Sequence, residues 1–396
     1  MRLRRHRGLS AALGAVLLAS SMIVGGCGSG DSGATEDAGF ASRPNVTTYD
    51  AAIVYADRSN SGANASNALK HIEDVAASEG FLACVLADGK PTSVSDTFEL
   101  TEQNGRKRES ELKQKIASVS GMDWSARTAE ADIFAAITEA DRALGGASGD
   151  VERSVIIVDS GISTSGPISF MEDQPAREGL LDPDAFVQSL RQSGDLGKLE
   201  NIDRVIWYGL GEASDPQENP NEGTRRAMQD LYEAIFAAGG VEEVEFMEGG
   251  GSSAPSSGLP AVTPIELPKI ALDPDGNPVG LGDTLVFNEA EGTALTFETA
   301  TSAFVDGGAA AVELEDGIAQ LLSFPEMSVA VRGYTDTVGD EAANQVLSEE
   351  RARTVADLLV SAGVSPDRIT VIGMGEDSTH GEGDVAANRR VELQFS

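Results

Sequence analysis

The sequence predicts two folded parts in tandem: a three-layer α/β domain on a mostly parallel sheet, followed by a smaller α+β sandwich domain. Three observations carry this expectation. Between residues 47 and 248, short apolar β-type runs alternate with amphipathic stretches. Residues 249–260, GGGSSAPSSGLP, have no apolar period and mark the clearest boundary in the chain. Beyond residue 284, strand-type runs bracket two helical segments, the pattern of a small mixed sheet covered on one face.

The first 26 residues read as a targeting segment: Arg2, Arg4, Arg5 and Arg7, an apolar run from Leu9 to Val24, then Gly25 and Gly26 before Cys27. The apolar run is too short for a comfortable membrane span. Val24-Gly25-Gly26-Cys27 resembles a bacterial lipobox, which implies cleavage before Cys27 and diacylation of its sulfur with palmitate-type chains. Residues 27–46 are rich in Gly, Ser and acidic side chains with little to bury, and predict a flexible tether with an end-to-end distance of about 25 Å. Cys84, inside the run FLACVLA, reads as a small buried hydrophobe. The formal charge is −35. A surface this acidic repels phosphate backbones and anionic head groups, so nucleic acid is excluded as a partner and membrane attachment needs a tether.

In the α/β domain, 47–248, the strand-type runs are YDAAIVYAD, FLACVLADG, SVIIVDSG, DRVIWYGLG and VEEVEFM. Helical stretches are expected around 63–79, 105–119, 129–145, 184–193 and 221–238. In the last, Ala227, Leu231, Ile235 and Ala238 share one face, and Gly239-Gly240 stops the helix. Strands separated by helices imply parallel pairing through crossovers. The first strand ends in Asp57-Arg58-Ser59-Asn60-Ser61 at the carboxyl edge of the sheet, where open α/β sheets bind ligands. Asp57, Ser59 and Ser61 are hard oxygen donors on one loop, suited to Mg²⁺ or Ca²⁺.

That string and its surroundings resemble the von Willebrand factor type A family, whose metal lets a partner's carboxylate complete the coordination. The resemblance implies a protein-binding module. Two positions depart from it: Ala131, with Thr128 nearby, stands where the family has Thr, and Ser160 stands where it has Asp, with Asp159 one residue earlier. A degenerate, purely structural site is the competing reading. Ser160 and Ser163 lack a well-placed histidine, because His71 sits on the side of its helix away from Leu69, Ile72 and Ala76; a Ser-His-Asp arrangement is poorly supported.

Residues 249–283 form a linker and connector. The part from 261 is compatible with either a loose segment or a hairpin around DPDGNP. The second domain, 284–396, reads as strand 284–287, an extended piece near 294–305, helix 309–322, strand 328–334, helix 341–362 and strands 368–373 and 389–395. On the long helix, Arg351 lies in the inward stripe of Leu347, Val355 and Leu358 or Leu359, with Asn344 on the same face. An inward guanidinium needs an anionic partner, and Asp336, just before that helix, is the expected one. Side by side, an Asp and an Arg suit a zwitterion.

GYTDTVG, NQVLSEERA, GVSPDRI, IGMGE and ANRRVEL, in this order, resemble the OmpA-like C-terminal domain family, which binds the diaminopimelate of peptidoglycan stem peptides non-covalently. The resemblance implies that Asp336 takes the ligand's ammonium and Arg351 its carboxylate, with Asn344 and Arg389 framing the pocket. Tyr334 replaces the usual His, and the loop DSTHGEGDVAA replaces one that carries Pro and Asn. The expected whole is a non-enzymatic, exported lipoprotein, lipid-anchored at Cys27 in the cell envelope, bound to peptidoglycan and displaying an α/β module to a protein partner. An envelope hydrolase positioned on the wall and a structural spacer are the alternatives.

Overall fold

The apolar runs of the first part become strands β1 (Tyr49–Tyr55) and β2 (Phe81–Leu86) and, after an additional β3 (Thr92–Thr97), β4 (Glu152–Val158), β5 (Arg204–Tyr208) and β6 (Glu243–Met247). The computed structural model describes residues 49–58, 71–72, 74–76, 78–97, 101–146, 151–249, 258–260, 262–381, 383 and 385–396. All of these lie in the unit Val46–Ser396. The leader, Cys27, the tether, Ser59 and Ser61 are outside them.

The strands form one sheet in the order β3-β2-β1-β4-β5-β6, parallel except for the edge pair β2–β3. Successive β1 residues face opposite layers, as strand geometry requires. Ala52 and Val54 join the core that contains Phe134, Trp207 and Leu231, whereas Ala51, Ile53 and Tyr55 pack with Ile72, Val75 and Cys84 on the other face. Cys84 is buried, as its apolar setting predicts. The flanking helices are α1 (Gly105–Ser120), α2 (Ile133–Leu144), α3 (Pro175–Gly179), α4 (Pro183–Ser193) and α5 (Glu222–Gly239). Each of the longer ones starts where a side chain accepts an orphan amide: Asp132 from Ala135, Asp182 from Ala185 and Asn221 from Thr224. Of the helix expected at 63–79, residues 71–72 and 74–76 are described and helical.

The 262–283 connector is packed into the fold. Ile265, Ile270, Ala271 and Val279 are buried, and a bridge between Leu272 and Pro278 closes DPDGNP as a hairpin. Gln320, fully buried, clamps it: its Oε1 accepts Ala271 N at 2.8 Å and its Nε2 donates to Val279 O at 2.8 Å. Buried backbone groups need such partners.

The second sheet contains β7 (Thr284–Asn288), β8 (Val329–Thr335), β9 (Ile369–Glu376) and β10 (Arg390–Phe395) in the order β7-β10-β8-β9; β8 and β9 are parallel, and β10 is antiparallel to both neighbours. The helix expected at 309–322 divides at Leu314 into α6 (Gly307–Glu313) and α7 (Glu315–Ser323). The long α8 (Glu341–Ser361) lies close on the sheet, because a Cβ at Gly333 of β8 would come within 2.1 Å of Ser348 O. No helix among the described residues is long and apolar enough to cross a membrane.

Candidate functional site

The α8 face turned to the sheet is Asn344, Ser348, Arg351, Ala352, Val355, Ala356 and Leu359. Of the stripe read from the sequence, Asn344, Arg351, Val355 and Leu359 are buried and Leu347 is half-buried, and Arg351 is only 6 % exposed. It borders a cavity of about 300 Å³ whose walls include Glu289, Phe297, Asp336, Asn344, Leu347 and Arg389. Arg351 Nε donates to Thr301 O at 3.0 Å, and its guanidinium lies 5.0 Å from the Phe297 ring centroid. Phe297 and Phe304 pair across a short bridge and stack at 5.0 Å, which fixes the 296–305 segment over the helix. Burial lowers the Arg351 pKa from its ordinary value, while nearby Glu289 and Asp336 act against that shift.

Asp336 does not take Arg351 as its partner. Its Oδ2 accepts from Arg389 Nη1 at 2.6 Å, and its Oδ1 accepts the Val338 amide at 3.1 Å. The physical reason is the β-sheet register: Arg390 lies opposite Tyr334 on β8 and Asn288 on β7, so Arg389, one residue earlier, stands between the Asp336 turn and Glu289. Arg389 Nε bonds Glu289 as well. Glu289 was missed because only this cross-strand pairing, over 100 residues of sequence, brings it to the pocket. Asn344 braces the rim, its Nδ2 donating to Val338 O at 3.1 Å and Glu376 Oε1 at 2.8 Å.

The altered loop after Glu376 is anchored. Asp377 pairs with Arg390, which also bonds Glu392 at 2.8 Å and lies 3.7 Å above the Tyr334 ring. Tyr334, in the place of the family's His, donates its hydroxyl to Glu392 Oε2 at 3.0 Å. Farther along, fully buried Asn388 accepts His380 N and donates to Gly381 O, and Gly383 N reaches Thr337 Oγ1 at 2.7 Å. His380 is thus a loop residue held through its backbone.

At the carboxyl edge of the large sheet, Asp57 pairs through its backbone with the 124–126 segment. Asp159, just past β4, turns its carboxylate to Arg58, Nη1 to Oδ2 at 3.2 Å. Burial, and then the charges of Asp57 and Asp159, push the Tyr55 hydroxyl up to about 12. No cluster of three or more His, Cys, Asp or Glu among the described residues is placed to hold a metal ion. Thr128 accepts the Gly89 amide instead, and Asp159 already faces a guanidinium. Of the candidate metal donors Asp57, Ser59 and Ser61, the two serines lie outside the described residues.

The serines weighed as nucleophiles have backbone duties: Ser163 Oγ accepts Ile133 N, and Ser160 Oγ accepts Ile162 N. His71, expected on the side of its helix away from Leu69, Ile72 and Ala76, is buried, and its Nε2 is 2.9 Å from Tyr208 Oη.

Residues 296–391 match the OmpA family. The chain is 63% identical over 49 residues to outer membrane protein A of Serratia odorifera, covering 12% of this chain and 20% of that protein. It is 45% identical over 83 residues to outer membrane porin F of Pseudomonas fluorescens, covering 20% of this chain and 24% of that protein. These matches span about a fifth to a quarter of the curated relatives' length. Among solved structures, the periplasmic domain of Helicobacter pylori MotB is 25% identical, with 29% of this chain and 83% of that one covered at a TM-score of 0.25. The peptidoglycan-associated lipoprotein of Burkholderia pseudomallei is 24% identical, with 26% and 86% covered at a TM-score of 0.23. The C-terminal part of this chain is an OmpA family domain.

Proposed function

We propose that this protein belongs to the bacterial cell envelope, binds peptidoglycan non-covalently through its C-terminal pocket, and has no enzymatic activity of its own. The observation that carries the reading is the pocket's charge layout: Arg351 holds a buried positive charge against a carbonyl and a ring face, while Asp336 and Glu289 share Arg389 nearby. A ligand ending in an ammonium and a carboxylate, as the diaminopimelate of a stem peptide does, answers both sides. Its carboxylate meets Arg351 and its ammonium competes for Asp336, each through charge-assisted hydrogen bonds.

Lipid on Cys27 is the second attachment in this reading, and the two weak tethers raise each other's effective concentration. The α/β domain, of von Willebrand factor A type, presents a surface to a protein partner. Sedimentation of the full chain with purified diaminopimelate-type peptidoglycan tests the anchor. Wild type is expected in the pellet, with folded Asp336→Ala and Arg351→Ala variants in the supernatant. Wild type left in the supernatant overturns the reading, and wall degradation by the purified chain replaces it with a hydrolase.

A further inference from the structure

We propose that the Arg58 guanidinium is the resident cation of the α/β domain's crevice, so that the fold needs neither Mg²⁺ nor Ca²⁺.

The strand order reverses between β1 and β4, which creates the crevice where doubly wound sheets take their ligands. Arg58 fills it. Its Nη2 donates to Ala87 O past the end of β2, and its Nη1 to Asp159 Oδ2 past the end of β4. One planar group thus ties together the carboxyl ends of three adjacent strands, a bridging geometry that guanidinium allows and a compact ammonium does not. The two side chains are 7% and 6% exposed. A carboxylate so deeply buried requires a counter-charge in contact, and Arg58 supplies it.

The remaining oxygens are committed too. Asp159 Oδ1 accepts Gly161 N at 2.8 Å, and the Asp159 carbonyl accepts Trp207 Nε1 at 2.7 Å. The space left beside the pair is about 20 Å³, room for one water and not for a hydrated divalent ion. The chain roofs this space itself: buried Gln217 exchanges two 2.7 Å hydrogen bonds with the backbone of Ile265, next to buried Val262. This inference concerns the α/β domain alone and does not depend on what the C-terminal pocket binds.

The test is thermal unfolding of the full chain in EDTA, in Mg²⁺ and in Ca²⁺, with Ca²⁺ binding followed by calorimetry. The wild-type Tm is expected to be the same in all three, with no binding heat. Arg58→Ala is expected to lower the Tm of the α/β transition by on the order of 10 °C. Arg58→Lys, which keeps the charge but loses the bridge to Ala87, should fall between the two and serves if the alanine variant does not fold. Stabilisation or saturable binding of the wild type by either metal overturns the proposal. So does an Arg58→Lys or Arg58→Ala variant as stable as the wild type.

Discussion

Arg58 meets Asp159 at 3.2 Å and Arg389 meets Asp336 at 2.6 Å, yet the two pairs have opposite surroundings. The first has side-chain exposures of 7% and 6% and about 20 Å³ of space beside it; the second has 24% and 12% and opens on about 300 Å³. The closer contact belongs to the more open pair, so distance does not decide what an Arg–Asp pair does. Space and competing partners decide it. In the crevice, opening the pair strands a charge with room for about one water beside it. In the C-terminal pocket, solvent screens the pair, so a ligand can replace one ion contact with another at small cost.

The largest expected effect tests this contrast directly. Asp159→Ala removes the carboxylate that meets buried Arg58 and should cost about 3–5 kcal/mol in urea unfolding. Asp336→Ala should cost less, about 1–2 kcal/mol, because its pair borders an open cavity and Arg389 keeps Glu289 as a partner. Equal losses would break the comparison.

Next comes Gln320, which clamps the connector between the two regions. Gln320→Ala leaves the Ala271 amide and the Val279 carbonyl without their partner and should cost about 2–3 kcal/mol, with faster hydrogen exchange at Ala271. Unchanged exchange there would mean that the clamp does not hold the strap. In the pocket, Arg351→Ala is expected to weaken ligand binding about 10- to 100-fold with the fold retained, read by calorimetry.

The smallest effect lies on the rim. Burial pushes Asp377 up, but hydrogen bonds from Thr379 and Arg390 outweigh it and hold the carboxyl below its ordinary 3.8. Its stabilising contribution is therefore present above that value and lost as pH falls through the lower folded one. Asp377→Asn should remove this acid dependence from the loop's amide shifts.

The central strands of the large sheet were legible because buried parallel strands are continuous apolar runs, as in FLACVL and SVIIV, and β8 and β10 of the small sheet because their burial alternates along the strand. β3, TSVSDT, was not: it is an antiparallel edge strand whose Val94 is 61% exposed, so burial wrote no apolar pattern into it. The connector was left open between a loose segment and a hairpin because its apolar residues, Ile265, Ile270 and Val279, have no regular period, yet each packs into the core. In the pocket, α8 periodicity pointed to Arg351 and Asn344. The exchange of partners around Asp336 depended on strand register, which only the assembled sheet fixes. Arg58 was passed over between two candidate metal donors, because its partner is 101 residues away.

The most direct measurement of the central claim is calorimetric titration of the full chain with two soluble stem peptides, one carrying diaminopimelate and one carrying lysine at the same position. Lysine ends in an ammonium alone, so it can meet Asp336 but offers nothing to Arg351. The account predicts saturable binding of the diaminopimelate peptide, at least about tenfold tighter than the lysine peptide, and loss of that preference in Arg351→Ala. Equal affinity for both peptides, or a preference that survives in Arg351→Ala, would contradict it.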